Sequence, residues 1–191
     1  MFSIKKCDFG YLKAHLKKEI IISFILFGMS IGVLLLGIHL YGSKKNLLTL
    51  VAVLGLLPAG KELVNVIMTG KALRYACPLE HFNNVKKAVG EAALKVRYDL
   101  YMTTYDKCYP IYSMTVFDDC IIGYTDQKLD DTKFDAHIKK MLSQNGFKVS
   151  NVKIFNQESK YLERIKNFAA SDNVQSKREL EILHLMENLS L

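Results

Sequence analysis

The sequence predicts an α+β protein: an N-terminal hairpin of two transmembrane helices, then a cytoplasmic domain of order α-β-β-β-α-β-α-α with a mostly antiparallel sheet. Three observations carry this expectation. Residues 20–41 and 47–68 are two apolar stretches, each about as long as the ~20 residues a helix needs to cross ~30 Å of hydrocarbon. Beyond them, apolar residues recur alternately at helical spacing and at the strand period of two, the mixture expected of helices packed on a sheet. The charge is also divided unevenly. Of a whole-chain excess of +7, residues 1–69 hold +5 and residues 70–191 hold +2. Basicity therefore belongs to the membrane flanks, where it sets orientation and attracts anionic headgroups, and a nucleic-acid partner is not implied. The expected division is a basic leader over 1–19, a hairpin over 20–69 and a domain over 72–191.

The leader carries Lys5, Lys6, Lys13, Lys17 and Lys18, with Phe9, Leu12, Leu16 and Ile20 at steps of three and four. That spacing suits an amphipathic helix lying at the membrane interface, or an ordinary lysine-rich flank. The first apolar stretch has no formal charge. It is too long for a signal-peptide core and ends in Ile38-His39-Leu40-Tyr41, which lacks small-residue cleavage chemistry. Within it Gly28 and Gly32 form a GxxxG, a spacing for close helix approach either to the second span or to another copy. Lysines before the hairpin, and Lys71, Arg74, Lys86 and Lys87 after it, outnumber Lys44 and Lys45 in the connector. Both termini are accordingly expected in the cytoplasm, with residues 42–46 outside.

The second stretch contains Pro58, which removes one helix bond and invites a kink. Lys61, Glu62 and Asn65 follow. Lys61 lies ~22 Å along the helix from Asn46, near enough to the cytoplasmic headgroups for its ammonium to snorkel. The functional reading of the three is an intramembrane or interfacial polar site, through which the second span would act as a sensor or as an accessory subunit of a transport complex.

In the domain, Phe82, Val85, Val89 and Ala92 predict a helix from Pro78 through about Leu94. Val96, Tyr98, Leu100 and Met102 then alternate as one strand face, and Tyr112, Met114 and Val116 as another over 109–117. Asp106-Lys107-Cys108 and Asp118-Asp119 suit reversals, and residues 120–125 complete a three-stranded meander. Asp130 or Asp131 caps a helix with Phe134, Ile138, Met141 and Leu142 on its apolar face, stopped by Asn145-Gly146. Residues 147–155 form a fourth strand. Tyr161, Leu162, Ile165 and Phe168 mark another helix, and 170–175 resemble a linker. Ser176-Lys177-Arg178-Glu179 is a capping box for the last helix. Leu180, Ile182, Leu183, Leu185, Met186 and Leu189 make that helix more apolar than one stripe requires, a hint of a protein partner or a second copy.

Chemistry is sparse. Cys7, Cys77, Cys108 and Cys120 have no paired spacing; Cys77 with His81 is a lone C-x3-H, so neither a zinc site nor a disulfide framework is implied. Cys108 or Cys120 with His137 has no local motif behind it. Phosphate-loop, dinucleotide and zinc-protease motifs are absent, and no cofactor is indicated. Tyrosines 98, 101, 105, 109, 112 and 124 crowd the meander, as strand formers or as base-stacking rings.

A helix, three-strand meander, helix and strand is similar to the core of the restriction-endonuclease-like fold, whose nucleases hold a divalent metal with one acid and an acid-x-Lys. Asp126-Gln127-Lys128 matches acid-x-Lys, with Asp106 at the same sheet edge as its partner. The resemblance implies metal-dependent nuclease activity or a degenerate relative; turn punctuation is the plainer role for these aspartates. The run Leu54-Gly55-Leu56-Leu57-Pro58-Ala59-Gly60-Lys61 with Val64-Asn65-Val66-Ile67-Met68, and Tyr98-Asp99-Leu100-Tyr101-Met102-Thr103-Thr104-Tyr105, resemble uncharacterised two-span proteins of Gram-positive bacteria. That resemblance implies a bacterial plasma membrane and assigns no activity. Abundant Lys, Ile and Asn without Trp suits an AT-rich bacterial genome. Together the residues point to a noncatalytic module, held at the inner face of the membrane, that binds a protein partner or self-assembles.

Overall fold

The computed structural model describes residues 4–43, 46–104, 107–129, 131–171 and 174–191. The chain divides into two compact units: Leu12–Arg74, and Met1–Tyr11 together with Tyr75–Leu191.

In the first unit, α1 (Tyr11–Tyr41) and α2 (Leu47–Leu73) are both long and apolar enough to cross a membrane. Each extends beyond its apolar stretch into the lysine-rich flank, and α2 continues through Pro58. Asn46 caps α2, its Oδ1 accepting from Thr49 N at 2.8 Å, while its Nδ2 donates to Gly37 O at 2.9 Å. Within the two apolar stretches the buried residues are small and recur every seven: Ser23, Ser30 and Gly37 on α1, Ala52 and Ala59 on α2. A heptad repeat of small side chains lets antiparallel backbones approach closely. A Cβ on Gly55 would lie 2.7 Å from Ser30 Oγ, and one on Gly37 would lie 2.9 Å from Leu48 Cβ. Gly28 and Gly32 have nothing within 4 Å of an added Cβ, so the GxxxG is not the close contact within the hairpin.

The second unit is a four-stranded sheet of order β1-β2-β3-β4. β1 (Arg97–Thr103), β2 (Cys108–Phe117) and β3 (Cys120–Tyr124) form the expected antiparallel meander; β4 (Asn151–Phe155) pairs parallel to β3. α3 (Leu79–Val89) and α5 (Glu158–Ala169) cover Val85, Phe117, Ile122 and Tyr161. α4 (Asp131–Gln144) and α6 (Lys177–Leu189) enclose a second cluster around Ile111, Met114, Phe134 and Ile182.

Several details differ from expectation. α3 stops at Gly90, whose φ of +59° ends it short of Leu94. Residues 147–150 lie outside β4; Phe147 and Val149 instead pack on the core as a loop. The expected single faces of β1 and β2 are also split. Tyr98 packs with α3 and α5, whereas Leu100 and Met102 join the other cluster. The cause is Asp99, whose φ of +55° interrupts the alternation. On β2 the same division falls at Tyr112, whose ring meets His81 while Met114 and Val116 lie in the opposite cluster. On α6, Ile182, Leu183 and Met186 are buried in their own domain, and Leu185 and Leu189 pack beside them. Five of its six apolar residues thus pack within the domain, while Leu180 is half-buried outside both clusters.

Residues 4–10 are not an interfacial helix. Cys7 is fully buried in the domain core, its carbonyl accepting from Tyr98 N at 2.8 Å. Phe9 stacks on Phe82 at 4.2 Å, and Lys6 Nζ donates to Ser190 O at 2.7 Å. Residues 4–10 therefore complete the domain before the chain enters α1, which takes up residues 11–19 of the expected leader.

Candidate functional site

Two polar centres dominate the domain, one at His81 and one at Asp99. The first is His81. Its position one turn before Val85 places it on the buried side of α3, between that helix and the middle of β2. Nε2 lies 2.7 Å from Ser113 Oγ, and Nδ1 lies 2.8 Å from Glu158 Oε1 at the start of α5. Asn84 Nδ2 donates to the same Glu158 oxygen at 3.2 Å. Burial lowers the His81 pKa, against the opposing pull of Glu158. The ring is thus neutral at neutral pH. A carboxylate can only accept, so Nδ1 carries the proton and Nε2 accepts from the Ser113 hydroxyl. Burial pushes Glu158 up, but the hydrogen bonds from His81 and Asn84 outweigh it and hold the carboxyl below its usual range.

This is the connectivity of a serine–histidine–acid relay, and its surroundings decide what it can do. Ser113 has no exposed surface. Its strand is paired on both sides, opposite Tyr98 and Tyr124. The rings of Tyr112, Tyr124 and Tyr161 stand 4.6–6.2 Å from the imidazole, and burial raises all three phenols. An acyl substrate cannot reach Oγ, and the paired strand leaves no amide free to stabilise an oxyanion there. The relay is a closed polar network that joins α3, β2 and α5.

The second centre is Asp99, which is buried to 2 % exposure. Oδ2 accepts from Gly10 N at 2.9 Å and Oδ1 from Cys77 N at 2.7 Å. Gly10 is the last residue before α1, and Cys77 lies four residues beyond the end of α2. One carboxylate therefore fastens both ends of the hairpin sequence into the domain. Its left-handed backbone is tolerated because Asp is among the few residues that visit that region. Arg97 reinforces the clasp, Nη1 reaching Asp8 Oδ1 at 3.3 Å and Nε pairing with Glu187. Burial pushes the Cys7 thiol up to about 11 and raises Cys77 as well, with Asp99 and Glu158 adding to the latter. Both thiols are therefore protonated at neutral pH, the less reactive form.

The other candidates are dispersed. Both nitrogens of His81 are occupied, so Cys77 and His81 form no zinc pair. Among the described residues no three His, Cys, Asp or Glu side chains converge as a metal site. Asp106 lies outside the described residues. Asp126 and Lys128 are exposed in the loop after β3, with Gln127 Nε2 donating to Asp126 Oδ1 at 2.7 Å. No hydrogen bond joins Cys108 or Cys120 to His137 among the described residues. Tyr101, Tyr109 and Tyr112 are buried, which makes them core rather than a stacking platform; Tyr105 lies outside the described residues. On α2, Asn65 Nδ2 reaches Glu62 Oε2 at 3.5 Å while Lys61 is exposed on the helix surface.

The sheet has unequal edges. β1 is covered: Leu191 N donates to Tyr101 O at 3.0 Å, Tyr101 N donates to Ser190 Oγ at 2.8 Å, and Cys7 lies alongside Tyr98. β4 has no further strand beside it among the described residues. Beside it a cleft of about 330 Å³ is lined by Lys153, Lys160, Glu163 and Arg164. Comparison with family models, curated proteins and solved structures returned no match.

Proposed function

We propose that this chain is a noncatalytic, membrane-anchored module whose domain works at the cytoplasmic face, associating there with a protein partner or a second copy. The observation that carries this reading is the Asp99 clasp. Gly10 and Cys77, on either side of the hairpin, both donate to one carboxylate of the domain. A chain that enters and leaves the bilayer from one folded domain has both hairpin ends on one side, in agreement with the lysine distribution. The resemblance to two-span bacterial proteins fits the same location.

The noncatalytic part rests on the closed surroundings of Ser113 and on the scattered acids. For association, the free edge of β4 is the favoured place, because unpaired strand groups accept another strand. The adjoining cleft sets Lys153 of β4 with Lys160 and Arg164 of α5 against Glu163 alone, an excess of positive charge that favours an acidic segment. The deciding experiment is purification of the full chain from native membranes in mild detergent, with particle mass and composition measured together. A dimer or a fixed-ratio complex that Lys153→Glu disrupts is expected. A particle holding one chain alone would overturn the association reading.

A further inference from the structure

The hairpin surface carries an apolar cavity of about 250 Å³ between Ile20, Phe24 and Phe27 of α1 and Leu63 and Val66 of α2, with Ser23 at its floor. Phe24 is 75 % exposed, so the cavity opens toward the surroundings of the hairpin. The α1 side belongs to a longer stripe. Lys13, Lys17, Ile20, Phe24 and Phe27 follow one another at alternating steps of four and three, the spacing of a single helix face. Side chains lean toward a helix N-terminus, which carries Lys17 away from the apolar wall and toward the chain's basic flank. Arg74 is exposed at the end of α2, two turns beyond Val66.

We propose that this groove binds one anionic phospholipid, an acyl chain lying along Ile20, Phe24 and Phe27 and the phosphate held by Lys17 and Lys13. The inference rests on the membrane-anchored reading. Its dimensions agree with one leaflet: Lys17 to Phe27 spans about 15 Å at ~1.5 Å per residue, half of a ~30 Å hydrocarbon core. An apolar wall that ends in two lysines matches an acyl chain that ends in a negative headgroup. A partner helix fits less well, since a cylinder 10–12 Å across fills the cavity volume within roughly two residues of rise.

The chain contains no tryptophan, so Phe24→Trp in the full-length protein supplies a single reporter at a position already exposed. The protein is placed in phosphatidylcholine vesicles containing a minor fraction of lipid brominated on its acyl chains, either phosphatidylglycerol or phosphatidylcholine. Two lysines at ~1 kcal/mol each predict a preference for the anionic lipid of roughly thirtyfold at this site. Quenching by brominated phosphatidylglycerol should therefore saturate at a far lower mole fraction, and Lys13→Gln with Lys17→Gln should bring the two lipids level. Leu57→Trp, 70 % exposed on α2 and outside the groove, should show no preference. Equal quenching of Phe24→Trp by both lipids would overturn the proposal, leaving only bulk lipid around the helix. Protection of Phe24→Trp beside normal quenching of Leu57→Trp would overturn it in favour of a helix or second copy seated there. Absence of quenching at both positions would instead overturn the membrane reading.

Discussion

His81 is a buried imidazole kept neutral by its surroundings, and it therefore makes the domain's stability depend on pH with a definite sign. Its folded pKa lies below the ordinary 6.5. The unfolded chain binds the proton first, so this contribution is complete above pH ~6.5 and is lost as pH falls toward the folded pKa. Glu158 has a lowered pKa, so its contribution persists until pH drops below about its ordinary 4.5. Between those limits the loss belongs to His81. His81→Gln should cost about 1–3 kcal/mol at pH 7.5 and flatten the decline between pH 6.5 and 4.5, as read from denaturation midpoints across that range. A parallel decline in both proteins would show that the ring does not carry the effect. Asp99 makes a different prediction, because one amide oxygen of an asparagine cannot replace two carboxylate oxygens facing opposite ways. Asp99→Asn should cost about 1.5–3 kcal/mol. It should also speed amide exchange in the peptides containing Gly10 and Cys77 together, leaving α6 unchanged. Exchange altered at one end alone would mean that the two ends are held independently.

At the level of elements, the hairpin provides a contrast between two sets of glycines. A Cβ added to Gly37 would lie 2.9 Å from Leu48 Cβ and from Asn46 Oδ1, the oxygen that caps α2. Gly37→Ala should destabilise the solubilised protein by about 1–3 kcal/mol, the usual penalty for overpacking. Gly28→Ala and Gly32→Ala meet open space and should be neutral or gain up to ~1 kcal/mol of helix propensity. Thermal scans in one detergent separate these outcomes, and equal effects would contradict the seam. The GxxxG of Gly28 and Gly32 was the packing pattern legible in the sequence, whereas the seam of Ser23, Ser30 and Gly37 shows only once α1 and α2 pack. Element order was legible too, because hydrophobic period and turn residues are local. The strand faces were not, since a single left-handed Asp99 reassigns Tyr98 and Leu100 without altering the residue types around it. The polar centres were hidden for the same kind of reason. Ser113, His81 and Glu158 lie on three separate elements and meet only through tertiary packing. Gln175 is similar: in a stretch that resembles a linker, its Nε2 donates to Val116 O at 2.6 Å and its Oε1 accepts from Lys95 N at 2.7 Å.

For the whole molecule the central question is which side of the membrane holds the domain, and the chain's own thiols can answer it. Cys7 and Cys77 are buried, Cys120 is half-buried with its pKa raised chiefly by burial, and Cys108 is exposed. Thiolate is the reacting form, so a membrane-impermeant maleimide should label Cys108 ahead of the other three. In the proposed orientation, argued from the lysines flanking the hairpin, the domain lies inside, and the Asp99 clasp gives residues 4–10 the same side. In sealed inverted vesicles Cys108 should therefore label fully, and in right-side-out vesicles it should label only after permeabilisation. Ser43→Cys, exposed just beyond α1, should show the reverse order in a chain whose Cys108 is replaced by serine. Labelling of both positions from one side would exclude a spanning hairpin while leaving the domain fold intact. Reversed labelling of the pair would keep the hairpin but move the domain, and with it the β4 edge, to the outer face. In that orientation Lys13 and Lys17 would meet outer-leaflet lipid, so the anionic-lipid preference and the labelling order must agree.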